Sequence, residues 1–113
     1  MTVLYKICTR AEWQLAEGRG AFTGSAVDRA DGFIHLSARD QVEETARRHF
    51  AGQTDLVLVA LDATRLEPVR WEPSRGGALF PHVYGVLPIA AATSVTELRL
   101  DPDGAHVFPW RPM

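Results

Sequence analysis

The sequence predicts a strand-rich α+β domain, and three observations carry that assignment. The first half interleaves β-forming runs with two stretches of helical period. Leu56-Val57-Leu58-Val59-Ala60-Leu61 is apolar without alternation, as expected of a central strand covered on both faces. Beyond Asp62 the chain is cut at short intervals by Pro68, Pro73, Gly76, Gly77, Pro81, Gly85 and Pro88, which predicts short strands and turns and no further long helix. At 113 residues the chain suits a single domain, residues 1–113, with one modest core.

The elements follow in order. Val3-Leu4-Tyr5-Lys6-Ile7-Cys8 is dense in β-formers and predicts a first strand. Thr9-Arg10-Ala11-Glu12 has capping-box spacing, so a short helix follows with Trp13 and Ala16 inward and Gly18 and Gly20 at its end. Residues 21–30 show no period and are expected to be a loop that borders a site. It leads into Asp31-Gly32-Phe33-Ile34-His35-Leu36-Ser37, a short strand. From Ala38 to Phe50 the period is helical, with Val42, Ala46 and Phe50 on one face, Glu43/Arg47 and Glu44/Arg48 paired outside, and Gly52 as the stop. Val69 to Glu72, Phe80 to Gly85 and Val95 to Leu100 predict further strands. Asp101-Pro102-Asp103-Gly104 is a turn that joins the last of these to a terminal strand, Ala105 to Phe108.

Composition excludes several functions. A net charge of -2 does not favour a polyanion coat, so binding to nucleic acid is not expected from charge. Cys8 is the only cysteine, which rules out an internal disulfide and fits a reducing, cytoplasmic setting. No apolar run approaches the roughly 18 residues of a membrane span, and residues 1–8 do not read as a leader. The histidines lack HxH, HxxxH or HExxH spacing, so no metal site is expected. No GxSxG and no glycine-rich phosphate loop occurs.

The residues with chemical capacity fall in three stretches. His35 and His82 are each followed two residues later by a hydroxyl, Ser37 or Tyr84. Residues two apart on a strand face the same way roughly 6 to 7 Å apart, so each stretch offers an imidazole beside a hydroxyl. That combination suits a small oxygen-rich ligand, because both groups donate and accept and the imidazole titrates near neutrality. The competing reading makes His35 a structural hydrogen-bonder and Ser37 a helix cap, with Asp40 three residues on. His49 and His106 are assigned to packing or surface. The third stretch, Trp71-Glu72-Pro73-Ser74-Arg75-Gly76-Gly77, either presents solvent charges around a packed tryptophan or brings Trp71, Glu72 and Arg75 to the same cavity as the imidazoles. Phe33 either stacks on a ligand ring or fills the core.

Taken together, the DGFIHLS stretch, the following helix with Gln41, Thr45, Ala46 and His49-Phe50, then Asp55-Leu56, Trp71-Glu72 and Phe80-Pro81-His82-Val83-Tyr84-Gly85 resemble the bacterial family catalogued as domain of unknown function 952. The likeness covers nearly the whole chain. It implies the ADP-ribosyltransferase-like fold, a strongly bent, split β-sheet with a cleft that holds NAD in active relatives. RNA 2'-phosphotransferase is the nearest active relative by this resemblance, through a shared His-Leu-Ser between a strand and a helix. It implies ligand contacts from His35 and Ser37, NAD as cofactor, a 2'-phosphorylated RNA end as a candidate partner, and transfer by attack on the nicotinamide riboside carbon. The arginine set of the phosphotransferase has no clear counterpart here, and Glu72 is the candidate for the glutamate of protein-modifying members. Two alternatives stand beside this reading: a non-catalytic module binding a small metabolite, and a phosphoesterase using His35-Leu36-Ser37 and His82-Val83-Tyr84 as paired motifs.

Overall fold

The structure, a computed structural model, describes residues 2–66 and 68–111, with the side chain of Arg75 outside the described part. Strands β1 (Val3–Thr9), β4 (Leu56–Asp62) and β8 (Ala92–Leu98) form an antiparallel sheet with β4 in the middle. Its six apolar residues are all buried, as the unbroken run requires. A second antiparallel sheet contains β3 (Ile34–His35), β6 (Leu79–Val83) and β5 (Val69–Pro73) in the order β3-β6-β5. The two sheets meet at a single bridge, where Tyr5 and Ser37 exchange backbone hydrogen bonds of 2.8 and 2.9 Å. A two-stranded pair, β2 (Ala21–Phe22) with β7 (Leu87–Pro88), completes the strands.

Alternation along β4 divides the core. Val57, Val59 and Leu61 pack with Leu4, Cys8, Trp13, Phe22, Ile34, Leu36 and Val83. Leu56 and Leu58 pack on the other face with Ile7, Val42, Ala46 and Phe108. Helix α1 (Arg10–Arg19) starts in the expected capping box and buries Trp13 and Ala16. Helix α3 (Val42–His49) lies over the second core through Val42 and Ala46. Among the described residues no helix is long and apolar enough to cross a membrane.

Four expectations need correction. The stretch 21–30 is not a loop: it contains β2 and a third helix, α2 (Ala26–Asp31), whose Ser25 cap and Asp28 close a capping box. The helix after Ser37 starts at Val42, because a turn intervenes in which Gln41 Oε1 accepts from Ala38 N at 3.0 Å. Glu43 turns from Arg47 to the chain end, accepting from Trp110 Nε1 at 2.8 Å and from Arg111 Nη2 at 2.5 Å. The terminal strand is reduced to one bridge, Leu100 to His106, beyond the turn at Asp101.

Candidate functional site

The register of the second sheet decides where the histidines go. β3 and β6 pair with His35 directly opposite His82, while Ile34 pairs with Val83 and both point into the core. Alternation then sends the two imidazoles to the other face, where their centroids lie 5.5 Å apart, edge to face. Residues 47 apart in sequence thus share one wall of a cleft of about 1070 Å³, which also reaches Lys6, Ser37, Thr45 and Arg48. His35 is part exposed to it, and His82 lies 97% buried at its floor, being 3% accessible.

A buried ion pair underlies His35. Lys6 shares the core-facing side of β1 with Leu4 and Cys8, and its ammonium meets both oxygens of Asp28, at 3.1 and 2.8 Å. A charge buried this way is tolerated only when paired and hydrogen-bonded. Asp28 meets that condition several times over. It accepts from the backbone N–H of Ser25 at 2.9 Å and of His35 at 3.0 Å, and from His35 Nδ1 at 2.7 Å. Burial alone would raise the carboxyl's pKa, but the hydrogen bond from His35 and the charge of Lys6 outweigh it and hold Asp28 well below the usual carboxylate range. Gly24, at φ 111°, makes room for this residue: a Cβ there would meet Asp28 Cβ at 3.0 Å. Gly32, at φ 84°, then ends α2 and turns the chain so that Asp31 comes back over His35, with its Oδ2 2.9 Å from Nε2.

His82 is held differently. Its Nδ1 lies 2.8 Å from Glu72 Oε1, which also accepts from the Tyr84 hydroxyl at 2.8 Å. Those two hydrogen bonds keep the Glu72 carboxyl below its ordinary range, and the same contact raises the Tyr84 phenol. With Nδ1–H donated to a carboxylate, Nε2 of the neutral ring carries the lone pair. That atom is enclosed and has no hydrogen-bond partner among the described residues. The Phe33 ring packs against His82 at 4.1 Å, His35 at 4.6 Å and Tyr84 at 5.2 Å, so it fixes both imidazoles in place.

Ser37 is not a helix cap. Its Oγ lies 3.0 Å from the Thr45 hydroxyl, which spends its proton on Gln41 O at 3.1 Å, so Ser37 donates to Thr45 and keeps its own lone pairs. Phe33, Glu72 and Tyr84 support the imidazoles without lining the cleft. Trp71 belongs elsewhere. It pairs with Pro81 on the opposite face from Arg70 and Glu72 and is 47% exposed, so it neither fills the core nor approaches the imidazoles. The side chain of Arg75 lies outside the described residues.

Lys6, Asp28 and Asp31 were absent from the candidates drawn from the sequence. Two signals for them existed: a lysine on the face that Leu4 and Cys8 bury, and the Ser25-x-x-Asp28 box closed by Gly32. Among the described residues no group of three or more histidine, cysteine or acidic side chains is arranged to hold a metal ion.

The crystal structure of CC0527 from Caulobacter crescentus is 52% identical to this chain, with 94% of each chain covered and a TM-score of 0.88. A double methionine variant of the same protein gives 51%, 94% of each and 0.88. Its solution NMR structure gives 53% identity over 93% of this chain and 91% of that one, with a TM-score of 0.81. No curated protein matches. Residues 7–95, which contain α2, β3, α3, β5 and β6 and with them every side chain of the two imidazole networks except Lys6, match the family model described as "Protein of unknown function (DUF952)", and the chain belongs to that family.

Proposed function

We propose that the cleft binds a nucleotide of the NAD or ADP-ribose class. The observation that carries this reading is the convergence of His35 and His82 on one hollow of about 1070 Å³, a size suited to an extended small ligand. The cleft offers hydrogen-bonding groups for sugar hydroxyls and an amide, the His35 ring and the lone pairs of Ser37, over an apolar-packed floor that includes the His82 ring. Arg39, Arg47 and Arg48 also line the cleft, Arg39 over the Trp110 ring and the other two in exposed pairs with Glu44 that a diphosphate could replace. The resemblance to the ADP-ribosyltransferase-like fold supports the same ligand class, as do two three-stranded sheets joined at one bridge.

A second reading is NAD-dependent transfer of an ADP-ribosyl or phosphate group. On its side stands the Glu72–His82 couple, a carboxylate orienting an imidazole whose other nitrogen carries a lone pair. Against it stands the engagement of Glu72 itself, whose Oε1 already accepts from His82 and Tyr84. A non-catalytic binding module keeps every contact and needs no reacting carboxylate.

Titration with NAD, ADP-ribose and a 2'-phosphorylated RNA end, followed through the imidazole resonances of His35 and His82, tests the proposal. Both rings are expected to respond to NAD and ADP-ribose. Nicotinamide release would establish transfer, and binding without release would establish the module. Silence of both rings toward all three ligands overturns the nucleotide reading.

A further inference from the structure

The two carboxylates flanking the His35 ring are not equivalent. Asp28, on Nδ1, is 2% exposed and tied down by Lys6 and by two backbone N–H groups, one of them that of its helix cap Ser25. Asp31, on Nε2, is the last residue of α2, is 48% exposed and lines the cleft. Removing Asp28 from the ring would leave a buried lysine uncompensated. Asp31 can leave at the small cost of an exposed ion pair. The imidazole is therefore fixed at one nitrogen, while the other, in the protonated ring, turns an N–H to the cleft under a carboxylate that water can replace.

From this asymmetry we infer that the Nε2–H of His35 is the subsite for a phosphate-type oxyanion of the ligand, and that the Asp31 carboxylate is its internal stand-in, displaced when the ligand binds. This rests on the nucleotide reading of the cleft and names the group that meets His35. The charges are consistent with it. Lys6 and Asp28 cancel beneath the ring, and Asp31 cancels the doubly protonated ring itself, so once Asp31 swings aside the charge of the ring is left uncompensated at Nε2. A ring that bonds carboxylates at both nitrogens donates both bonds only with both protons in place, and an incoming phosphate oxygen accepts the same proton that Asp31 accepted. Thr45 and the Ser37 lone pairs lie in the same cleft, where the sugar hydroxyls of a nucleotide would follow. His82 cannot substitute for His35 in this role, because its Nδ1 is committed to Glu72 and its Nε2 is enclosed.

The test uses the Asp31→Ala variant, whose change lies at an exposed helix end, and four probes: inorganic phosphate, ADP-ribose, adenosine and acetate. The ¹⁵N shift of His35 Nε2 is followed at fixed ionic strength. Removing the stand-in is expected to tighten phosphate and ADP-ribose binding roughly three- to five-fold, the factor an exposed ion pair is worth. Adenosine affinity should not change. The His35 Nε2 resonance should move with phosphate and ADP-ribose in both proteins, and the His82 Nδ1 resonance should stay put on phosphate addition.

If ADP-ribose binds but Asp31→Ala leaves its affinity unchanged, the inference fails and the nucleotide reading survives. Phosphate moving His35 Nε2 while ADP-ribose does not bind would keep the oxyanion subsite and remove the nucleotide. Acetate acting as well as phosphate, or sodium chloride reproducing the shift, would overturn the assignment to phosphate.

Discussion

Replacing Asp28 by asparagine isolates the interaction on which the His35 wall is built. The side chain keeps its shape and one acceptor oxygen but loses the charge that Lys6, 5% exposed, faces at 2.8 Å. Breaking a buried ion pair by removing one partner costs about 3–5 kcal/mol. The retained oxygen places Asp28→Asn near the lower end, about 3 kcal/mol, a large share of the roughly 5–15 kcal/mol that holds a typical domain together. Lys6→Met should cost less, because Asp28 keeps the His35 ring and two backbone donors. Combining the two changes should recover at least about 1 kcal/mol of their sum, since the buried lysine is then gone.

Urea unfolding followed by the fluorescence of buried Trp13 measures all three. The acid limb supplies an independent check of sign. Asp28 is held below its ordinary range in the fold, whereas the unfolded chain takes up its proton near pH 3.9. The stabilisation from this carboxylate is therefore complete above that pH and is lost as pH falls toward the depressed folded value. The gap between the natural protein and Asp28→Asn should narrow below about pH 4. A cost under about 1 kcal/mol, or a gap that is flat between pH 5 and pH 3, would refute the reasoning, because that is how an exposed pair behaves.

Other expectations follow from the same geometry. Glu72→Gln should lower the Tyr84 phenol toward its ordinary range, read by ultraviolet titration, because the carboxylate that raises it is gone. Burial pushes the Cys8 thiol up to about 12, so alkylation near neutral pH should proceed only as fast as the protein opens. A rate in the natural fold close to that of free cysteine would contradict the burial. Trp71→Ala should leave ADP-ribose affinity unchanged and alter stability by no more than roughly 0.5–1 kcal/mol, since the ring is half exposed on the far face of β5.

Much of this was legible in the residues, and the failures have physical causes. The uninterrupted run Leu56–Leu61 announced the central strand because only a strand covered on both faces can do without polar residues. Alternation placed His35 away from Ile34 and Leu36, and His82 away from Val83. What sequence could not supply was register: the two rings oppose each other because β3 and β6 pair antiparallel, and that pairing joins segments 47 residues apart. Helix α2 escaped notice because six residues are too few to show a period, although its capping box and Gly32 were readable. Lys6 escaped because a single lysine in a strand ordinarily faces water, and its partner lies 22 residues away on that missed helix. The reading that brought both Trp71 and Glu72 to one cavity fails because consecutive strand residues point to opposite faces, and alternation alone separates them.

The most direct test of the central claim is backbone chemical-shift mapping during titration with ADP-ribose. The account predicts perturbations confined to Lys6, residues 31–37, the cleft-facing side of α3 and His82. Saturating changes centred on the outer face of β5 or on β8, or a spectrum that does not change at millimolar ligand, would contradict it.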